Sequence, residues 1–157
     1  MGVAGNLYAG NIFANNFVTS SGTQMFNVAA SFAKYTRTTA QSGAAANTVI
    51  VCNVQENTYG SDISVNTTTG QVTLQAGRTY RLRGGVPGWY TSATRPSFCW
   101  YNETASAWIG EAAEAYAPSD AAQNGALGGS AECVFTANAT TVVSFRVLSG
   151  SSFTLGA

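Results

Sequence analysis

The run Asp62-Ile63-Ser64-Val65-Asn66-Thr67-Thr68-Thr69-Gly70-Gln71-Val72-Thr73-Leu74 alternates apolar with polar residues on either side of a short polar turn. Successive side chains of an extended chain point to opposite sides, so Ile63, Val65, Val72 and Leu74 share one face. With Gly70 in the turn, the run reads as a β-hairpin. A second turn, Gln75-Ala76-Gly77-Arg78, leads into Thr79-Tyr80-Arg81-Leu82-Arg83. There Tyr80 and Leu82 point one way while Arg81 and Arg83 point the other. Val143-Ser144-Phe145-Arg146-Val147 alternates just as cleanly.

Outward from these segments, shorter apolar runs predict strands over 33–39, 48–53, 97–102, 107–110 and 131–136. Short strands with turn residues every 8–12 positions point to a sandwich or barrel, so the fold class expected is all-β. The one helix candidate, 111–123, is rich in alanine but holds Pro118 and few apolar anchors, and is expected to be an irregular loop or a single turn. Residues 38–47 carry no apolar anchor and read as a linker or surface loop. Residues 1–32 repeat short apolar pairs between Gly and Asn, which cannot bury Leu7, Tyr8, Ile12, Phe13, Phe17 and Val18 unaided. They read as an extended N-terminal arm needing a partner surface, or as an arm packed on its own domain; residues 33–157 read as the main domain.

Composition removes several function classes. The 157 residues suit one domain, and 45% hydrophobic content supports a core. Only 9% are charged, against about 25% in an average chain, and seven basic residues balance seven acidic ones. That near-neutral surface gives no footprint for nucleic acid. No apolar run approaches the ~18 residues of a spanning helix, so no membrane insertion is expected. The chain contains no histidine, which removes Ser-His-Asp triads, Cys-His pairs and histidine metal sites. Glu103, Glu111, Glu114 and Asp120 lie close in sequence, yet lack both the spacing of a calcium loop and any sign of a paired-carboxylate cleft. No enzyme, no metal site and no cofactor is expected.

Met1-Gly2-Val3-Ala4-Gly5 lacks the basic and apolar regions of a secretory leader. The sequons at Asn66, Asn102 and Asn138 are therefore read as products of Asn- and Thr-rich composition. Cys52, Cys99 and Cys133 each sit in an apolar run and are expected as buried thiols, with one disulfide pair left open.

The string from Ile63 to Gly84, with Gly70, Val72, Leu74, Gly77, Tyr80 and Leu82 in its strand-Gly-strand-Gly-aromatic-strand pattern, resembles the tumour-necrosis-factor-like (TNF-like), complement-type jelly rolls. Residues 97–111 are similar to that family's middle hairpin, and residues 131–147 to its penultimate pair of strands. Within the superfamily, Tyr35-Thr36-Arg37-Thr38-Thr39 ahead of these strings looks most like the fibre and knob proteins of tailed bacteriophages. The resemblance covers about residues 33–155. It implies an antiparallel jelly-roll sandwich, a homotrimer, and a non-enzymatic structural role as the head of a tail fibre, knob or spike. It implies a surface appendage of the virion, made in the host cytoplasm, with the arm as a fibre-shaft stub bound to other virion proteins. Such a family closes with a long apolar strand beside the first; residues 151–157 offer either a minimal version or a shortened one.

On this reading Leu7, Tyr8, Ile12, Phe13 and Phe17 carry attachment or the trimer shaft. Trp89 and Tyr90 lie among flexible residues, where flat aromatic faces beside small polar groups suit recognition of a host glycan or protein. Trp89 plugging one end of the barrel is the plainer alternative. With Arg95, Trp108, Tyr116 and Asp120 they make up the candidate receptor contacts. Arg83-Gly84-Gly85 reads as a strand end and not as an RNA-binding element. Two other functions fit the same residues: a capsid decoration or cement protein stabilising the shell, and a carbohydrate-binding module.

Overall fold

A computed structural model describes residues 31–86, 89–90, 96–116, 127–150 and 152–156. Thirteen strands and no helix are found among them. In chain order they are β1 (Phe32–Thr36), β2 (Gln41–Ala44), β3 (Val54–Tyr59), β4 (Ile63–Val65), β5 (Gln71–Leu74), β6 (Arg78–Gly85), β7 (Trp89–Tyr90), β8 (Ser97–Asn102), β9 (Ala107–Tyr116), β10 (Leu127–Gly128), β11 (Ser130–Ala137), β12 (Thr141–Ser149) and β13 (Phe153–Leu155). The fold is all-β, and every strand pairing is antiparallel.

The hairpin read first from the sequence is β4–β5, in register Ile63 opposite Leu74 and Val65 opposite Val72. Its turn is tied by Asn66, whose Oδ1 accepts from the Thr68 and Thr69 amides at 2.9 and 3.1 Å. That is the Asx-turn chemistry of the residue, and it explains Asn66 without glycosylation. Asn102 does the same after β8, accepting from the Ala105 amide at 3.0 Å.

Four pairings are nested: β2 with β13, β5 with β12, β6 with β11, and β8 with β9. Two more, β12 with β8 and β13 with β7, set the folded ladder side by side. The result is a six-stranded sheet in the order β10-β9-β8-β12-β5-β4, with the β11-β6, β2-β13-β7 and β1-β3 groups beside it. The core is aromatic. The ring of Phe145 lies 5.4 Å from Trp100 and 6.0 Å from Phe98, and Phe98 meets Phe153 edge-on at 6.4 Å. Burying each such ring contributes roughly 2–3 kcal/mol.

Two glycines permit this packing. A side chain on Gly84 would meet the Phe145 ring at 2.8 Å, so the Arg83-Gly84-Gly85 string is a strand whose glycine makes room for the core. Gly110 has φ +76° and lies where a Cβ would come within 2.5 Å of β11 at Glu132 and Cys133. A left-handed backbone against a neighbouring main chain leaves glycine as the residue that fits.

Some boundaries depart from the sequence reading. Part of the expected loop 38–47 is β2, because Ala44, although small, is fully buried beside β13. The expected strand 48–53 reduces to a single bridge, Val49 opposite Arg146, with the Ile50 amide donating to the Phe145 carbonyl at 2.9 Å. The strand comes later, as β3. The helix candidate at 111–123 is instead the far half of β9 as far as Tyr116, since residues 97–102 supply its partner in β8; residues 117–126 lie outside the described residues. All three cysteines are free thiols.

Candidate functional site

Two features of the surface are built well enough to act on another molecule. The first lies on the outer face of the six-stranded sheet. Phe98 and Trp100 of β8 point inward, so Tyr101 between them and the turn points outward, directly opposite Trp108 of β9. Their rings meet edge-on at 5.0 Å and 73°. The guanidinium of Arg146 on β12 sits 4.2 Å from the centre of the Tyr101 ring, a cation–π contact.

That guanidinium is held from behind. Its Nη2 donates to both oxygens of Glu103 at 2.5 Å, and its Nε donates to Glu103 Oε1 at 3.1 Å and to Ser144 Oγ at 2.9 Å. The Ser144 hydroxyl, itself fully buried, donates to Glu103 Oε1 at 2.5 Å. Both ionic side chains are under a fifth exposed, at 18% for Arg146 and 17% for Glu103. Burial works against the charge on Glu103, but the hydrogen bonds from Arg146 and Ser144 outweigh it and hold the carboxyl below its usual range. The patch is thus a rigid aromatic pair on an ionic support, suited to stacking and not to proton transfer.

The second feature is a groove of about 470 Å³ beside β6. Its floor is the inward face of β4 and β5, with Ile63, Val65, Val72 and Leu74, and it reaches Trp100 and Phe145 in the core. Trp100 Nε1 is buried and has no acceptor among the described residues. Cys52 lines the groove half-buried; burial raises its thiol pKa, and Arg37 only partly offsets this. It is therefore a protonated, weakly reactive thiol at neutral pH. Burial likewise raises Cys99 and Cys133.

Of the residues singled out from the sequence, Trp108 belongs to the outer patch. Trp89 and Tyr90 are not in a free loop: they form β7, opposite Leu155 and Thr154 of β13, because the returning β13 lends them a ladder. The backbone of Tyr116 ends β9, pairing with Leu127. Arg95, Asp120 and the arm residues Leu7, Tyr8, Ile12, Phe13 and Phe17 lie outside the described residues. Of the acidic residues grouped by sequence, Glu103 faces Arg146 across the sheet, while Glu111 and Glu114 are exposed along β9. Among the described residues no three metal-ligating side chains come together, and no helix is long and apolar enough to cross a membrane.

Sequence reasoning missed Tyr101 as the partner of Trp108, and Arg146 and Ser144 as the groups that support Tyr101. The hairpin Tyr101-Asn102…Ala107-Trp108 carries a readable cross-strand aromatic pair, but nothing local places β12 next to it. The chain matches no protein-family model and no curated protein sequence.

Proposed function

We propose that this chain is a non-enzymatic structural virion protein, the homotrimeric head of a tailed-bacteriophage fibre, knob or spike, on a TNF-like jelly roll. The nesting of four antiparallel pairs about the β8–β9 turn carries this reading. A jelly roll is a long β ladder rolled up so that first pairs with last and the innermost hairpin lies at the centre. The pairing of β2 with β13, β5 with β12, β6 with β11 and β8 with β9 follows that rule. It supports the resemblance drawn from residues 33–155, and through it the role.

Exposed apolar groups support self-association. Tyr59 is 61% exposed and Phe32 48%. Copies covering such groups around a three-fold axis would add buried area to a small domain. In this assembly the N-terminal arm holds the head to the particle, and the patch at Trp108 and Tyr101 meets the host surface, where aromatic faces stack on sugar or protein.

Sedimentation of the full chain at micromolar concentration tests the assembly. The expected species has three times the 16.2 kDa of one chain; a stable monomer overturns the proposal. For the role, purified protein added to host cells should compete with adsorption of the phage, and Trp108→Ala should weaken that competition without changing the sedimenting species. Particles that adsorb equally well in excess protein, yet fall apart when the protein is lacking, would point to the decoration role.

A further inference from the structure

The walls of the groove differ in a way that identifies what fits it. β4 and β5 contribute alternate residues, Ile63, Val65, Val72 and Leu74, which is one face of a hairpin. β6 instead contributes Thr79 through Gly85, seven residues in succession. A strand lines a cavity with consecutive residues when its edge, and not its face, borders the space. The opposite wall repeats the pattern with Ser31, Phe32 and Ala33 at β1. Among the described strands β6 pairs only with β11 and β1 only with β3. The groove is therefore a gap between two strand edges, roofing the apolar face of a second sheet.

From this the geometry points to one occupant: an additional β-strand, an extended peptide segment that enters between β1 and β6 and joins β3-β1 and β6-β11 into a single five-stranded sheet. Unpaired backbone N–H and C=O groups along an edge are satisfied by another backbone, and a strand that adds to a sheet gains specificity from alternate side chains. β13 already supplies such a strand beside β7, three residues beyond the end of β6. The occupant's inward residues are apolar, because they meet Ile63, Val65 and Val72. Its outward residues are acidic or neutral, because Arg81 and Arg83 stand on the outer side of β6 with, among the described residues, one acid, Glu132, opposing them. Seven residues at roughly 3.3 Å each match the length of the β6 wall. This inference does not depend on the proposed role in a virion.

The test uses the full chain and a synthetic eight-residue peptide in which valine and isoleucine alternate with threonine and aspartate. Calorimetry should show saturable binding, and amide exchange within 79–85 and 32–35 should slow on addition of peptide while exchange in β12 stays unchanged. The same peptide N-methylated at alternate positions keeps its side chains but loses ladder donors, and should bind about tenfold more weakly or worse. A peptide of the same composition with its apolar residues in one block should not bind. Val65→Lys, at a half-buried floor position, should abolish binding, with a cooperative melt showing that the variant is folded. The proposal is overturned if the N-methylated or blocked peptide binds as well as the alternating one. It also fails if the groove takes an apolar dye such as anilinonaphthalene sulfonate and no peptide, or if copies associate through it in a way the peptide cannot compete.

Discussion

β12 and β3 are both antiparallel strands, yet their surroundings are opposite. β12 is flanked by β5 on one edge and β8 on the other, and Val143, Phe145 and Val147 are buried in the core. Its outward side is also covered, with Ser144 fully buried beneath Glu103 and Arg146. Among the described strands β3 has a single neighbour, β1, and all six of its residues are exposed. Two-stranded ribbons are marginal in water, so β3 holds its place through β1 and the exposed stack of Phe32 on Tyr59 at 6.5 Å. The same backbone geometry is secured in one region by layers on both faces and in the other by one ladder. Stability here is a property of what covers a strand.

The contrast can be broken most forcefully at its buried end. Phe98→Ala removes a ring that is 1% exposed and touches both Phe145 and Phe153. Urea unfolding should show a loss of about 3–5 kcal/mol. A loss under about 1 kcal/mol would mean that this core is far looser than the packing implies.

A smaller effect is expected at the ionic support of β12. Glu103→Gln leaves Arg146 largely buried without its counter-charge and should cost about 3 kcal/mol near neutral pH. The folded carboxyl titrates below its unfolded value, so its contribution is present above the ordinary carboxylate range and is lost as pH falls through the lowered folded value. The wild-type midpoint should therefore drop on acidification more steeply than that of Glu103→Gln. Parallel pH profiles for the two proteins would contradict this assignment.

The smallest effect belongs to the matching pair on the open side. Arg81 donates to Glu132 at 2.5 and 3.0 Å, a geometry as good as that of Arg146 on Glu103. Hydrogen bonding by Arg81 lowers the Glu132 carboxyl pKa as well. Arg81 is largely in water and Glu132 partly so, however, and solvent and salt screen the attraction. Glu132→Gln should leave the melting temperature unchanged within error. A large drop would show that this surface is covered in solution.

Much of this is legible in the order of residues alone. Period-two alternation at Ile63–Leu74, Tyr80–Leu82 and Val143–Val147 placed β4, β5, β6 and β12, because a half-buried strand must alternate. β2 was not readable: Gln41-Ser42-Gly43-Ala44 has no large apolar residue, and Ala44 is buried only because β13 comes back beside it. The far half of β9 was hidden for a similar reason, since its alanines favour no strand until β8 lies alongside. Trp108 is singled out by its chemistry, but its partner Tyr101 is on β8 and the Arg146 that supports Tyr101 is on β12, more than thirty residues further along the chain. The groove left no trace in the sequence, because its walls come from several separated segments.

By itself, the order of residues determined that this chain is built of antiparallel strands and which side of the main ones is apolar, since side-chain alternation is a local consequence of backbone geometry. Which strands pair, where Gly110 must yield to a neighbouring backbone, and where two edges are left facing a gap were decided only in three dimensions. Those features depend on contacts between residues far apart in the chain, and no local pattern encodes them.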